Sequence, residues 1–174
     1  MRLLDLEIHN VRGIRHLELH PAGKNLVILG PNGSGKSAVV DTIDFLLTGS
    51  ISRLSGEGTA GINLKSHGGH IDAQPKEVWV KAHVQANGQT FEISRCLAKE
   101  KELVCPEQYR PAMERVVALA RLGHHVLTRR EILRFVTAKS SDRAQEIQAL
   151  LDIEETNQVR LAIKAATSTL EALL

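Results

Sequence analysis

Aromatic residues are scarce in this sequence, at 3%. A surface that stacks bases needs several of them, so single-strand binding by stacking is excluded. Cysteine is nearly absent: Cys96 and Cys105 lie nine residues apart with no second pair. That spacing makes no zinc motif, and the two read as ordinary thiols of a reducing compartment. Charge of one sign is lacking too, since 22 Lys+Arg against 20 Asp+Glu leaves +2. Any contact with nucleic acid must therefore come from a local basic patch. No apolar run approaches the roughly 18 residues that a membrane helix needs. Met1 to Glu7 alternates like a strand and has no apolar signal-peptide core. A cytoplasmic protein with no membrane partner is expected.

The 174 residues fit one domain, and 43% hydrophobic content can fill its core. Residues 2–9 alternate Leu3, Asp5 and Glu7 against Leu4, Leu6 and Ile8, the pattern of a half-buried strand. Asn10 to Gly13 reads as a turn, and 14–20 alternates again, so the first two strands form an antiparallel pair. Leu26-Val27-Ile28-Leu29 is a continuous apolar run, as in a strand covered on both faces. A helix follows at Ser37–Leu47, with Val39, Val40, Ile43, Leu46 and Leu47 at helical spacing. Residues 48–74 are glycine-rich and aperiodic, a long loop.

Further on, 77–86 and 89–95 alternate around Asn87-Gly88, the strongest short hairpin signal. Leu103-Val104 suggests one more short strand. A helix over 107–122 ends at Gly123. His124–Leu127 suggests a short strand, and Glu131–Val136 looks helical. Ser140 or Ser141 caps a further helix. Finally Val159, Ile163, Ala166, Leu170 and Leu173 are spaced four, three, four, three, the seam of a coiled coil. The expected organisation is a head lobe over 1–152 and the start of a helical arm over 153–174.

The chemistry concentrates in Gly30-Pro31-Asn32-Gly33-Ser34-Gly35-Lys36-Ser37, which matches G-x-x-x-x-G-K-[ST]. Glycines let the backbone curl until successive N–H groups point at one anion. The following helix adds its positive N-terminal end. Lys36 supplies a charge for the β- and γ-phosphates, and the Ser37 hydroxyl is a ligand for Mg²⁺. Asn32, Gly33, Ser34, Gly35, Lys36 and Ser37 are thus the expected phosphate-binding residues, with ATP and Mg²⁺ as cofactors.

The motif sits in a longer pattern: Leu6-x-x-x-Asn10-Val11-Arg12-Gly13-Ile14, then Lys24 to Ser37, then Asp41-x-Ile43-x-Phe45-Leu46-Leu47. This resembles the N-terminal lobe of a chromosome-maintenance (SMC) or RecF-like ATPase head, a group that includes DNA-repair and antiviral-defence ATPases. The resemblance implies an α/β, P-loop NTPase lobe of the ABC-ATPase-like type, with an antiparallel β subdomain, a helical region and a coiled-coil helix. It implies a head-head dimer around ATP, a C-terminal lobe in the same or a partner chain, DNA, and a nuclease or other effector subunit. It also places Arg12 near the phosphates. Where the family carries a Q-loop glutamine, this sequence has Arg129, which cannot ligate Mg²⁺ but can bind phosphate.

Some expected parts are missing. No strand of four hydrophobes ends in Asp-Glu, so the sequence shows no catalytic base. Leu54-Ser55-Gly56-Glu57-Gly58 resembles an ABC signature but follows the phosphate loop too soon. His67, His70 and Asp72 could suggest a metal, yet two histidines on a glycine-rich loop usually stay solvated. Arg129, Arg130, Arg134, Lys139 and Arg143 form a basic cluster. It reads either as a solvated helix face or, with Arg130, Arg134 and Arg143, as a contact for DNA or phosphate. Two other functions remain open: a nucleotide-binding structural module without turnover, and a P-loop phosphotransferase. An ATPase completed by a C-terminal lobe is the expected enzyme, with the chain alone weak or inactive.

Overall fold

A computed structural model describes residues 1–54 and 62–121 continuously, and beyond them 123, 125–127, 136–139, 143, 159–160 and 162–164. The chain divides into two compact units, Met1–Arg121 and Leu122–Leu174.

The first unit is a four-stranded antiparallel sheet with helices on one face. Its strands are β1 (Arg2–Val11), β2 (Ile14–Leu19), β3 (Trp79–Ala86) and β4 (Gln89–Cys96), ordered β2-β1-β3-β4. The alternation of apolar residues sets the register. Leu6 and Ile8 of β1 lie opposite Ala82 and Val80 of β3, all buried, while Glu7 and His9 on the other face lie opposite Lys81 and Trp79. A bulge between Leu3 and Asp5 resets the pairing with β3, so Leu3 also packs on the core. Asn87 at φ 51° and Gly88 at φ 81° form the tight hairpin turn that their types favour.

Helix α1 (Lys36–Thr48) and helix α3 (Arg110–Arg121) cover the inner face, with a short α2 (Leu64–His67) between them in sequence. From α1, Val39, Phe45, Leu46 and Leu47 are buried; from α3, Met113 and Ala120. The two helices also pack on each other. Tyr109, just before α3, stacks on Phe91 of β4 with centroids 4.2 Å apart.

The C-terminal end of α1 is held by a buried arginine. Arg95 of β4 donates from Nε to the Leu46 carbonyl at 2.8 Å and from Nη2 to the Leu47 carbonyl at 3.3 Å. Its Nη1 donates to the Glu100 carbonyl at 2.5 Å. Carbonyls at a helix end have no partner within the helix, and a cation there also meets the negative end of the dipole. Burial, with Arg121 nearby, pulls the Arg95 pKa down to about 10, so it stays charged at neutral pH. Gly49 makes room for it: its φ is +76°, and a Cβ there would meet the Glu100 carbonyl oxygen at 2.3 Å and Arg95 Nη1 at 2.8 Å.

Two carboxylates strap the chain after α1 back onto the helix. Asp44 accepts from the Ser52 backbone N–H and the Ser52 hydroxyl, both at 2.6 Å. Asp41 faces Arg53 at 3.4 Å. They fix the single turn Ser52–Leu54 that begins the glycine-rich loop.

Most of these elements match the sequence pattern; the differences are informative. Leu26–Leu29 is not a buried strand: Val27 is 77% and Leu29 86% exposed, and the run joins no ladder among the described residues. A doubly covered strand needs neighbours on both edges, and the described residues supply none. Leu103-Val104 contributes a single bridge, Val104 to Ser94. The helix expected over 107–122 is a turn at Glu107–Tyr109 followed by α3, and Gly123 has the expected positive φ of 84°. Residues 125–127 form no strand, and His124 lies outside the described residues. So do Glu131, Ser140, Ser141 and most of the heptad seam; Val159 and Ile163 are helical and exposed.

Replacing Arg95 by Met keeps the volume and removes the charged donors. The variant is expected to lose about 3 kcal/mol of stability, because charge-assisted hydrogen bonds go and buried carbonyls stay behind. The urea midpoint measures it; an unchanged midpoint would show that the helix end does not depend on this side chain.

Candidate nucleotide-binding site

The phosphate loop stands directly before α1. Gly33 has φ +84°, and Gly35, the residue preceding the first helical turn, has φ +89°. A left-handed backbone at two positions of one short loop is what turns consecutive N–H groups toward a common point. At Gly30, a Cβ would meet Ser34 Oγ at 2.7 Å, so the loop closes tightly there. The helix begins at Lys36 with no side-chain cap and no acidic residue in its first turn. The positive end of α1 is therefore left uncompensated at the loop.

Lys36 and Ser37 lie at that end. Lys36 Nζ folds back to donate to the Gly30 carbonyl at 2.7 Å and the Pro31 carbonyl at 2.6 Å. The ammonium thus rests on the loop's own oxygens. Ser37 is exposed at the start of the helix, and Asn32 is exposed in the turn. The donor set of loop N–H groups, one lysine and one hydroxyl suits a triphosphate with Mg²⁺.

Below Ser37, one helical turn on, sits a group that the motif alone does not reveal. Asp41 is buried, with its side chain 3% exposed. Arg12 Nε lies 3.5 Å from it, and Arg53 Nη1 3.4 Å. Burial raises the Asp41 pKa above the usual carboxylate value, and the two guanidinium groups work against that rise. The signal in sequence was a carboxylate, one of two with Asp44, among the apolar positions of a buried helix.

Arg12 is set by an unusual turn. Asn10 and Arg12 both have positive φ, 54° and 56°. The Arg12 backbone N–H donates to the Gly68 carbonyl at 2.9 Å, and its Nη1 to the His67 carbonyl at 3.0 Å. The His70 N–H donates in turn to the Asn10 carbonyl at 2.7 Å. Gly69 bridges Val11, where a Cβ would meet Val78 Cγ2 at 2.8 Å. The histidine loop therefore serves as a backbone brace for Arg12. Asp72 is taken by Arg15 at 2.6 Å, and His67 Nδ1 meets the backbone of Asn63.

Of the other predicted site residues, Arg129, Arg130 and Arg134 lie outside the described residues, as do Ser55 to Gly58 of the signature-like stretch. Arg143 is helical, its N–H donating to the Lys139 carbonyl at 3.0 Å.

The loop, the lysine and the helix end together gather donors at one point ahead of α1. The profile of the AAA domain family matches residues 5–173. The chain belongs to the AAA domain family. That family is of the SMC-like ATPase kind, so nucleotide binding comes with membership. The chain is also 24% identical over 202 aligned positions to "Structural maintenance of chromosomes protein 5" of Arabidopsis thaliana. The alignment covers 91% of this chain and 19% of that relative, so the AAA domain protein spans about a fifth of its relative's length. Among the described residues no helix is long and apolar enough to cross a membrane.

The raised Asp41 pKa has a definite sign. The folded chain holds this proton more tightly than the unfolded chain, so Asp41 lowers stability as pH rises from 3.8 through the folded value. The stability of the natural chain minus that of Asp41→Asn should therefore fall over that window and level off above it. Urea midpoints of both chains at a series of acid pH values measure the difference. A gap that widens with pH would show that the arginines, not burial, dominate.

Proposed function

We propose that this chain is the ATP-binding half of an SMC/RecF-like ATPase head acting in DNA-linked processes: repair, chromosome maintenance or antiviral defence. ATP with Mg²⁺ binds at Asn32–Ser37, with Arg12 close to the phosphates. Binding closes the head on a second head, and hydrolysis reopens it, because the γ-phosphate is the contact that differs between the two states. The observation that carries this reading is the loop itself, with two left-handed glycines ahead of an uncapped α1 and Lys36 on its first turn.

A C-terminal lobe, of the same or a partner chain, completes the head. It brings strands to the exposed run Leu26–Leu29 and the carboxylate that the sequence of residues 1–174 lacks. Arg129 takes the place of the family's Q-loop glutamine, and Arg130, Arg134 and Arg143 meet DNA or phosphate. The last segment continues as a coiled-coil arm, and a nuclease or other effector joins the assembly. The absence of an Asp-Glu strand favours one second reading, a nucleotide-binding module without turnover.

In calorimetry, MgATP should bind the 174-residue chain, and Lys36→Ala should weaken it by about tenfold to a hundredfold, the worth of a charge-assisted contact. Equal affinity in both chains would remove the site. The same chain should hydrolyse ATP slowly or not at all. Robust turnover that disappears in Lys36→Ala would mean that the chain carries its own catalytic base.

Charge reversal at Arg130, Arg134 and Arg143 should weaken DNA binding and flatten its dependence on salt, since fewer counterions are released. Fluorescence anisotropy across a salt series measures the slope, and an unchanged slope takes DNA off this surface.

A further inference from the structure

The geometry points to a zinc site on the outer face of the sheet, formed by Glu7, His9 and His16. It lies on the face of β1 and β2 opposite the helices and is separate from the phosphate loop. Among the described residues, these three form the one group of His, Cys, Asp or Glu able to hold a metal, each offering one ligand atom within 4.8 Å of the others.

Strand geometry brings them together. Glu7 and His9 are two apart on β1, so they share a face. His16 of β2 stands directly across from His9 in the ladder. Opposed side chains on neighbouring strands are close enough to share one ion. The His9 and His16 rings lie 4.4 Å apart between centroids, and His9 Nε2 is 3.0 Å from Glu7 Oε1. Tetrahedral zinc with bonds near 2.1 Å needs donors about 3.4 Å apart, so small side-chain rotations close the set.

Two neighbours hold the ligands. Trp79 stacks on His9 with centroids 4.0 Å apart and planes 18° apart, which fixes the imidazole's plane. Glu18 Oε1 lies 3.3 Å from His16 Nε2 and can serve as the carboxylate that orients a ligating histidine. Two imidazoles and a carboxylate suit Zn²⁺ with water in the fourth place; without thiolates, softer ions gain no preference. The ion would tie the edge strand β2 to β1.

Trp79 is the sole tryptophan, and it touches a ligand, so it reports occupancy. The test uses the full chain without a histidine tag and without nucleotide. Zn²⁺ should bind one to one in calorimetry and raise Tm, since it binds only the folded chain. Co²⁺ or Ni²⁺ should quench Trp79 and be displaced by Zn²⁺. His16→Ala, at an exposed position, should lose at least about tenfold in Zn²⁺ affinity, since even an outer-shell partner is worth that. The Tm rise and the quenching should go with it. Glu7→Gln should weaken binding in the same way. His83→Ala, on the same face of the sheet in β3 and outside the group, should leave all three readings unchanged. No saturable Zn²⁺ binding tighter than about 1 mM, or equal binding by His16→Ala and the natural chain, would overturn the proposal.

Discussion

The position of α1 governs the site, and α1 is fixed at its far end. Its buried face sets how the helix lies on the sheet, but apolar packing alone allows sliding and rotation. Arg95 removes that freedom, because a planar guanidinium holds its N–H donors in a rigid fork and so fits only one placement of the Leu46 and Leu47 carbonyls. The arginine is itself held from β4, inside the core, and Gly49 exists in a conformation that leaves it space. With the C-terminal end clamped, the N-terminal end projects from the sheet at a defined point. The phosphate loop is then aimed by the core, not by its own contacts.

That aim matters because the loop has little else to hold it. Its two left-handed glycines cost more entropy on ordering than any other residue type. Lys36 partly offsets this by bonding the Gly30 and Pro31 carbonyls. These bonds are weak competitors: a neutral carbonyl attracts an ammonium less than a phosphate oxygen does. The lysine is thus held in reach, and under the proposed function a triphosphate would displace the carbonyls with a net gain. Arg12 shows the same arrangement in the next layer, since its guanidinium is braced by the His67 carbonyl and faces buried Asp41. A buried carboxylate between two arginines keeps both oriented beneath the first turn of α1.

What the sequence made legible follows from how local each signal is. The strand alternation of β1, β3 and β4, the Asn87-Gly88 hairpin and the start of α1 all depend on neighbours within a few residues. The phosphate loop is equally local, because its chemistry is written in consecutive positions. Arg95 was not legible: in sequence it is a charged residue in an alternating strand, and its carbonyl partners lie 48 and 49 positions away. The same holds for Asp41, whose arginines come from a turn and a loop. The His9 and His16 pairing became visible only with the register of β1 against β2. His67 and His70 drew attention as possible ligands, whereas the structure employs the backbone between them to hold Arg12.

The apolar run Leu26–Leu29 is where pattern and structure part, and the disagreement is physical, not a misreading of period. Four consecutive aliphatic residues favour burial on both faces, yet two of them stand almost fully in water and pair with no described strand. Exposed aliphatic side chains beside unpaired backbone carry a standing cost. The run is not among the strands of the observed sheet, whose order is β2-β1-β3-β4. It connects instead to the phosphate loop, where parallel α/β sheets place their ligands. In the proposed head, strands of the complementary lobe cover it, and ordering of the strand would then stiffen Gly30 and the loop behind it. Nucleotide affinity and lobe association are in that case linked through a single segment, each favouring the other by the same free energy.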